Sequence, residues 1–235
     1  MTERIAIIPA RGGSKRLPRK NILEVAERPM LSYPVSAARS SGLFSEVYVS
    51  TEDDEILEIG TREGARVLRR PQELATDSSG VADVCLHTIQ ELSDSHPAMD
   101  AFCCIYPTAI LINAEDLIRS FELLSAPNDC DVVMGVSGFD THPYKAMRVT
   151  DDEMLTPEWP DKVVMKGQVL PEVYASNGTL YWARPGPFLR TKSFYAERLR
   201  GYVVPRERAM DIDTWDDLVR VRQSIRQSTQ PAIIL

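Results

Sequence analysis

Residues 4–21 read RIAIIPARGGSKRLPRKN. The first six are a short, β-branched apolar run without alternation, the pattern of a strand buried on both faces. The loop that follows, residues 10–21, holds the bases Arg11, Lys15, Arg16, Arg19 and Lys20 in a chain of net charge −7. Gly12 and Gly13 let backbone approach an anion closely, and successive backbone N–H groups can form an anion-binding nest. Arginine adds bidentate contacts to phosphate and lysine a point charge. The motif is neither a G-x-x-x-x-G-K-S/T loop nor a G-x-G-x-x-G turn. On residue chemistry it is either a phosphate-binding loop or a solvated basic one.

Outward from it, strands and helices alternate. Residues 30–41 read as a helix that tolerates Pro34 only near its first turn. Residues 46–50 read as a strand, and 53–63 as a helix with an acidic start and a stop at Gly64. Further strands are expected at 66–68, 101–105 and 131–137, and helices at 79–92 and 114–124. This predicts an α/β fold, a mostly parallel sheet with helices on both faces. Ligands on such sheets sit beyond the carboxyl ends of the strands. Residues 139–185 are richer in Pro, Lys, Asp and Tyr and read as an inserted lid or hairpin within a single domain, 1–235. Strands at 177–183 and 201–205, a helix at 214–227 with Thr214 as its N-cap, and a short apolar tail at 231–235 complete the pattern.

The chain of 235 residues is 43% hydrophobic, with 27 basic and 34 acidic side chains. That balance argues against a general nucleic-acid binder or a polybasic membrane anchor. The longest apolar run, residues 101–112, is broken by Pro107 and Thr108 and falls short of a bilayer span. No signal-peptide pattern is read at the start. Cys85, Cys103, Cys104 and Cys130 form no C-x-x-C pair and are expected to be buried reduced thiols. Asp211 and Asp213, at i and i+2 of an extended segment, point to one side. Such a pair suits Mg²⁺ held between carboxylates and substrate phosphates, or it caps the following helix.

The opening motif resembles that of the acylneuraminate cytidylyltransferases, the family of CMP-sialic acid synthetases with its pseudaminate and legionaminate branches. Residues 70–79 (RPQELATDSS), Tyr106-Pro107-Thr108, His142-Pro143-Tyr144-Lys145, residues 177–181 (NGTLY) and Asp211-Ile212-Asp213 extend the resemblance, in order, over about residues 4–222. It implies a Rossmann-like nucleotidyltransferase fold. It also implies transfer of CMP from CTP to the anomeric hydroxyl of a nine-carbon 2-keto sugar acid. On this resemblance Arg11, Gly12, Gly13, Ser14, Lys15, Lys20 and Asn21 hold the nucleotide, and Arg70 and Ser79 read the cytosine. Asp211 and Asp213 hold Mg²⁺. Arg11, Lys20 and Asp211 are the catalytic group. Tyr106, Thr108, Lys145, Lys166, Gln168 and Asn177 meet the sugar. A cytoplasmic homodimer is implied, with Lys162 and Lys166 offered across the interface.

Tyr106 stands where sialate enzymes have glutamine, as in the pseudaminate branch, whereas His142–Lys145 looks more like the sialate or legionaminate branch. Residues 166–169 (KGQV) replace an R-R-Q-D segment, and Val81 replaces a Ser or Thr. The alternatives are a 3-deoxy-manno-octulosonate cytidylyltransferase and a CTP-binding protein without catalysis.

Overall fold

The computed structural model describes residues 3–126 and 130–229. In chain order the strands and helices are β1 (Glu3–Pro9), β2 (Glu24–Val25), β3 (Arg28–Pro29), α1 (Ser32–Ser41), β4 (Glu46–Thr51), α2 (Asp54–Arg62), β5 (Arg66–Arg69), α3 (Val81–Leu92), β6 (Met99–Ile105), α4 (Ala114–Ser125), β7 (Val132–Ser137), β8 (Met147–Val149), β9 (Leu155–Pro157), α5 (Pro160–Val163), β10 (Ala175–Ala183), α6 (Pro185–Thr191), β11 (Leu199–Val203) and α7 (Trp215–Thr229). The expected apolar tail at 231–235 lies outside the described residues.

Seven strands form the main sheet in the order β11-β7-β10-β6-β1-β4-β5. All neighbours pair in parallel except β10, which runs antiparallel between β6 and β7. The absence of alternation in β1 has its cause here. Ile5 and Ile7 are fully buried on one face and Ala6 and Ile8 on the other. Leu31, Val35, Ile56, Ile59 and Leu117, brought by α1, α2 and α4, cover the Ala6/Ile8 face. Cys85 and Ile89 of α3 and Phe188 of α6 cover the Ile5/Ile7 face. All four cysteines are buried and free, as their pattern predicted. No helix among the described residues is long and apolar enough to cross a membrane.

Trp182 on β10 is fully buried, stacks on Phe44 at 5.1 Å between ring centroids, and donates from Nε1 to Ser120 Oγ at 3.0 Å. It therefore fixes β10 against α4. Helix α4 opens with a reciprocal cap: Asn113 Oδ1 accepts from Asp116 N at 3.1 Å, and Asp116 Oδ2 accepts from Asn113 N at 3.0 Å. Asn113→Ala is expected to cost about 1 kcal/mol. In a domain of this size that lowers the thermal midpoint by roughly 2–4 °C, as calorimetry would read it.

A third apolar cluster lies outside the sheet. Leu17, Val25, Met30 and Ile110 pack on Ile212, Leu218 and Val221. It binds the basic loop to the segment that carries Asp211 and Asp213, residues nearly two hundred positions apart in the chain. Of residues 139–185, read as an insertion, 175–183 form β10, inside the main sheet, and Pro185 opens the unexpected helix α6. What leaves the sheet is residues 138–174, with the β8–β9 hairpin and α5. Pro185 and Pro187 sit in the first turn of α6, where missing N–H groups cost nothing.

Candidate functional site

The basic loop leaves the carboxyl end of β1 and passes beside the carboxyl end of β4. Gly12 donates its N–H to Glu52 Oε1 at 2.8 Å. A Cβ at this position would sit 2.4 Å from Asp53 Oδ2, so the close approach requires glycine. Leu17, 1% exposed, anchors the middle of the loop in the third cluster. Arg19, in the left-handed region at φ 56°, is clamped by Asp53 and Glu55 at the start of α2. It braces the loop and does not line the cleft.

The other four bases pair with two carboxylates. Arg11 and Lys15 reach Asp77 at 2.8 and 2.5 Å. Arg16 and Lys20 reach Asp213 at 2.5 and 2.8 Å. These pairs are partly solvated, and such contacts are worth little individually. They are exchangeable for a better anion. Between them opens a cleft of about 340 Å³, within the range of small-molecule sites. Arg11, Ser14, Lys20, Asn21, Arg70, Ser79, Tyr106, Thr108, Asp211 and Asp213 all border it. Most of the sequence-predicted nucleotide residues and both metal residues thus converge, from positions up to about 200 residues apart, while Gly12, Gly13 and Lys15 are not among the residues that line the cleft.

Gly13 is exposed with nothing within 4 Å of a built Cβ, and its conformation does not demand glycine. Asn21 is 3% exposed and donates from Nδ2 to Arg11 O at 2.9 Å, which leaves its Oδ1 buried without a partner. Arg70 is 4% exposed. Its Nε and Nη2 donate to Glu52 Oε2 at 3.1 and 2.9 Å, and its Nη1 has no partner among the described residues. Burial pushes the guanidinium pKa down, and Glu52 opposes that shift. Ser79 Oγ donates to Glu73 O at 2.8 Å. Leu74, Val81, Val84 and Pro107 form the apolar wall. Tyr106 packs edge-on against Tyr181 at 5.7 Å, and burial raises its phenol pKa.

The two aspartates differ. Burial raises the Asp213 carboxyl, but Lys20 and Arg16 together hold it below its ordinary value. Asp211 makes no hydrogen bond or ion pair among the described residues. Partial burial, and then the Asp213 charge, raise its carboxyl pKa. Thr214 settles the capping question. Its Oγ1 accepts from Asp217 N at 3.3 Å while Asp217 Oδ2 accepts from Thr214 N at 2.9 Å. The helix is capped without Asp211 or Asp213, so both carboxylates face other work. No group of three or more metal-ligating side chains occurs among the described residues. Two hard oxygen donors beside a basic loop fit Mg²⁺, which takes one or two carboxylates and completes its shell with phosphates and water.

The residues expected to meet the sugar are dispersed. Tyr106 and Thr108 are in the cleft. Asn177 accepts from Thr179 Oγ1 at 2.6 Å, with its Nδ2 buried and unpaired. Lys145 donates to the carbonyls of Val163 and Met165, each at 2.5 Å, and borders a separate hollow in residues 138–174. Lys162, Lys166 and Gln168 are exposed on the same excursion. His142 is a turn residue, accepting from Tyr144 N at 3.1 Å. Sequence reading missed Glu52, which lies between the strand expected at 46–50 and the helix expected at 53–63 and was given no role. The signal was available: a carboxylate just past the end of the strand neighbouring the basic loop.

A sequence model of the family described as Cytidylyltransferase matches residues 5–211. The chain is 30% identical to the pseudaminic acid cytidylyltransferase of Campylobacter jejuni serotype O:2, over 91% of this chain and 92% of that one. It is 28% identical to the CMP-N,N'-diacetyllegionaminic acid synthase of Legionella pneumophila, over 98% and 99%. To the N-acylneuraminate cytidylyltransferase of Streptococcus agalactiae serotype V it is 30% identical, over 92% of this chain and 52% of that longer one. Among solved structures, a CMP:2-keto-3-deoxy-manno-octonic acid synthetase complexed with CTP superposes with a TM-score of 0.72, covering 97% of this chain and all of that one. At 16% identity, that likeness concerns the fold.

Proposed function

The chain belongs to the cytidylyltransferase family, and we propose that it moves CMP from CTP to the anomeric hydroxyl of a nine-carbon 2-keto sugar acid of the neuraminate, pseudaminate or legionaminate type, with release of pyrophosphate. The observation that carries this reading is the single cleft in which Arg11, Lys20, Arg70, Asp211 and Asp213 converge beyond the strand ends. The named relatives act on sugar acids of this class. The octulosonate reading has the support of a common fold alone.

In this scheme the triphosphate replaces Asp77 and Asp213 as the counter-charge of the loop. Arg11 and Lys15 exchange Asp77 for phosphate oxygens, and Ser14 and Asn21 orient the nucleotide beside them. Lys20 and Arg11 then neutralise the charge that grows on the departing pyrophosphate, an electrostatic role fixed in place before reaction. Asp211 and Asp213 would hold Mg²⁺. When bound, that ion lowers the negative charge that repels the sugar hydroxyl. Arg70 and Ser79 meet the base, while Gly12 and Gly13 supply backbone approach. Tyr106, Thr108 and Asn177 form the fixed side of the sugar pocket.

Lys145, Lys166 and Gln168 would complete that pocket from residues 138–174. The excursion leaves Phe139, Met147, Val149, Met154, Leu155, Val164 and Val169 exposed. A concentration of exposed apolar side chains on one segment marks an interaction surface, and a homodimer that covers it would bring Lys162 and Lys166 toward the neighbouring cleft. Light scattering should report twice the chain mass, and a monomer at micromolar concentration would rule this out. The four free thiols and the dependence on CTP support a cytoplasmic setting.

The direct test is pyrophosphate release with CTP, Mg²⁺ and a panel of neuraminate, legionaminate, pseudaminate and octulosonate acceptors. Turnover with a nine-carbon acceptor is expected. Turnover with octulosonate alone would overturn the substrate class, and CTP binding with no turnover on any acceptor would favour the non-catalytic reading.

A further inference from the structure

One buried carboxylate joins the two halves of the cleft. Glu52 lies between the end of β4 and the N-cap Asp53 of α2, with its side chain 10% exposed. Its Oε2 accepts from Nε and Nη2 of Arg70 at 3.1 and 2.9 Å. Its Oε1 accepts the N–H of Gly12 at 2.8 Å. Its backbone carbonyl accepts from Arg69 Nη1 at 2.9 Å. Around it the main chain is also fixed: Ala10 N donates to Ser50 O, and Arg70 N to Thr51 O, each at 3.0 Å.

We propose that Glu52 is a positioning residue that couples the arginine facing the base to the loop facing the phosphates. The proposal rests on the nucleotide reading of the cleft. The two oxygens of a planar carboxylate move as one rigid unit. If Arg70 shifts, Oε2 must follow and Oε1 swings off Gly12. If the loop backbone shifts, the fork on Arg70 opens. Neither break is cheap, because a buried charged hydrogen bond is strong and a buried group left unpaired is costly. The Gly12 backbone is closely flanked on its other side as well, since a Cβ there would sit 2.4 Å from Asp53 Oδ2 and 3.1 Å from Arg19 Nη1. A base seated on Arg70 therefore stabilises the loop geometry that phosphates need. By linkage, an anion on the loop must favour the base-competent arginine by the same factor.

The test uses the whole protein without sugar acceptor. Calorimetry measures binding of CTP, UTP and inorganic tripolyphosphate, the last a probe of the loop alone. For Glu52→Gln, CTP affinity is expected to fall about tenfold, CTP-over-UTP preference about tenfold, and tripolyphosphate affinity several-fold. A variant that loses CTP affinity while tripolyphosphate binding stays at wild-type strength overturns the coupling, as does one that keeps its CTP-over-UTP preference. Should Glu52→Gln fail to fold, Arg70→Lys decides. It keeps the positive charge but loses the fork, and it is expected to weaken tripolyphosphate binding. Unchanged tripolyphosphate affinity in Arg70→Lys overturns the proposal. Wild-type protein that binds tripolyphosphate but not CTP would overturn the nucleotide reading itself, and the coupling with it.

Discussion

Asp211→Ala is expected to lower turnover at saturating CTP, Mg²⁺ and acceptor by on the order of 10²-fold or more, with the thermal midpoint unchanged. The two halves of this prediction come from one observation. Asp211 borders the cleft yet makes no hydrogen bond or ion pair among the described residues, so no part of the fold depends on its carboxylate. Its removal even relieves the repulsion it shares with Asp213. Asp213 would be a poorer choice for the experiment, because Lys20 and Arg16 both lean on it. Its loss would disturb the loop as well as any ion. Asp211→Asn should behave as Asp211→Ala does, since the amide keeps the shape but not the charge. Activity near wild type for either variant in excess Mg²⁺ would remove Asp211 from metal binding.

Arg70→Ala should raise the KM for CTP by on the order of 10–100-fold, the worth of a charged hydrogen bond, and should weaken discrimination against UTP. Cytosine offers acceptors at O2 and N3, whereas uracil presents a donor at N3. A guanidinium has donors only. With Nε and Nη2 engaged by Glu52, Nη1 is the part left for the base. A site built from donors rejects the base that donates back, and such polar mismatches discriminate far better than shape. The alanine variant also strands Glu52 without a counter-charge, so Arg70→Lys is the needed companion. It should recover stability but not CTP-over-UTP selectivity. Unchanged selectivity in both variants would take Arg70 out of base reading.

The parts of this molecule that were legible in the sequence are those where a local rule and the tertiary environment agree. β1 announced itself because a strand buried on both faces cannot alternate. Helix α2 was readable from its acidic start and Gly64, and α7 from Thr214. The loop of residues 10–21 was conspicuous because five bases in ten residues oppose the charge of the whole chain. Three things were hidden. Helix α6 begins Pro-Gly-Pro, which reads as a breaker unless its place in the first turn is known. Glu52 looked like one more acid in an acidic run, and its role depends on a register between β1 and β4 that periodicity does not supply. Lys145 has the right chemistry for a sugar carboxylate, but in the single chain its ammonium satisfies two carbonyls of the excursion. No pattern within a sequence reports which anion a lysine will find first.

The antiparallel strand inside the sheet bears on how the protein is made. β10 lies between β6 and β7 in space, but in the chain it follows β6 by some seventy residues and β7 by nearly forty. While a ribosome is still delivering residues 138–174, β6 and β7 have no strand between them. Each then presents a long apolar edge, the kind that pairs with the wrong chain. Pairings so distant in sequence form slowly, because loop closure must precede any reward from contact. Chains stalled before residue 175 should therefore be far more aggregation-prone in translation than chains released after Ala183. The arrival of Trp182 against Ser120 and Phe44 is the event that ends this exposure.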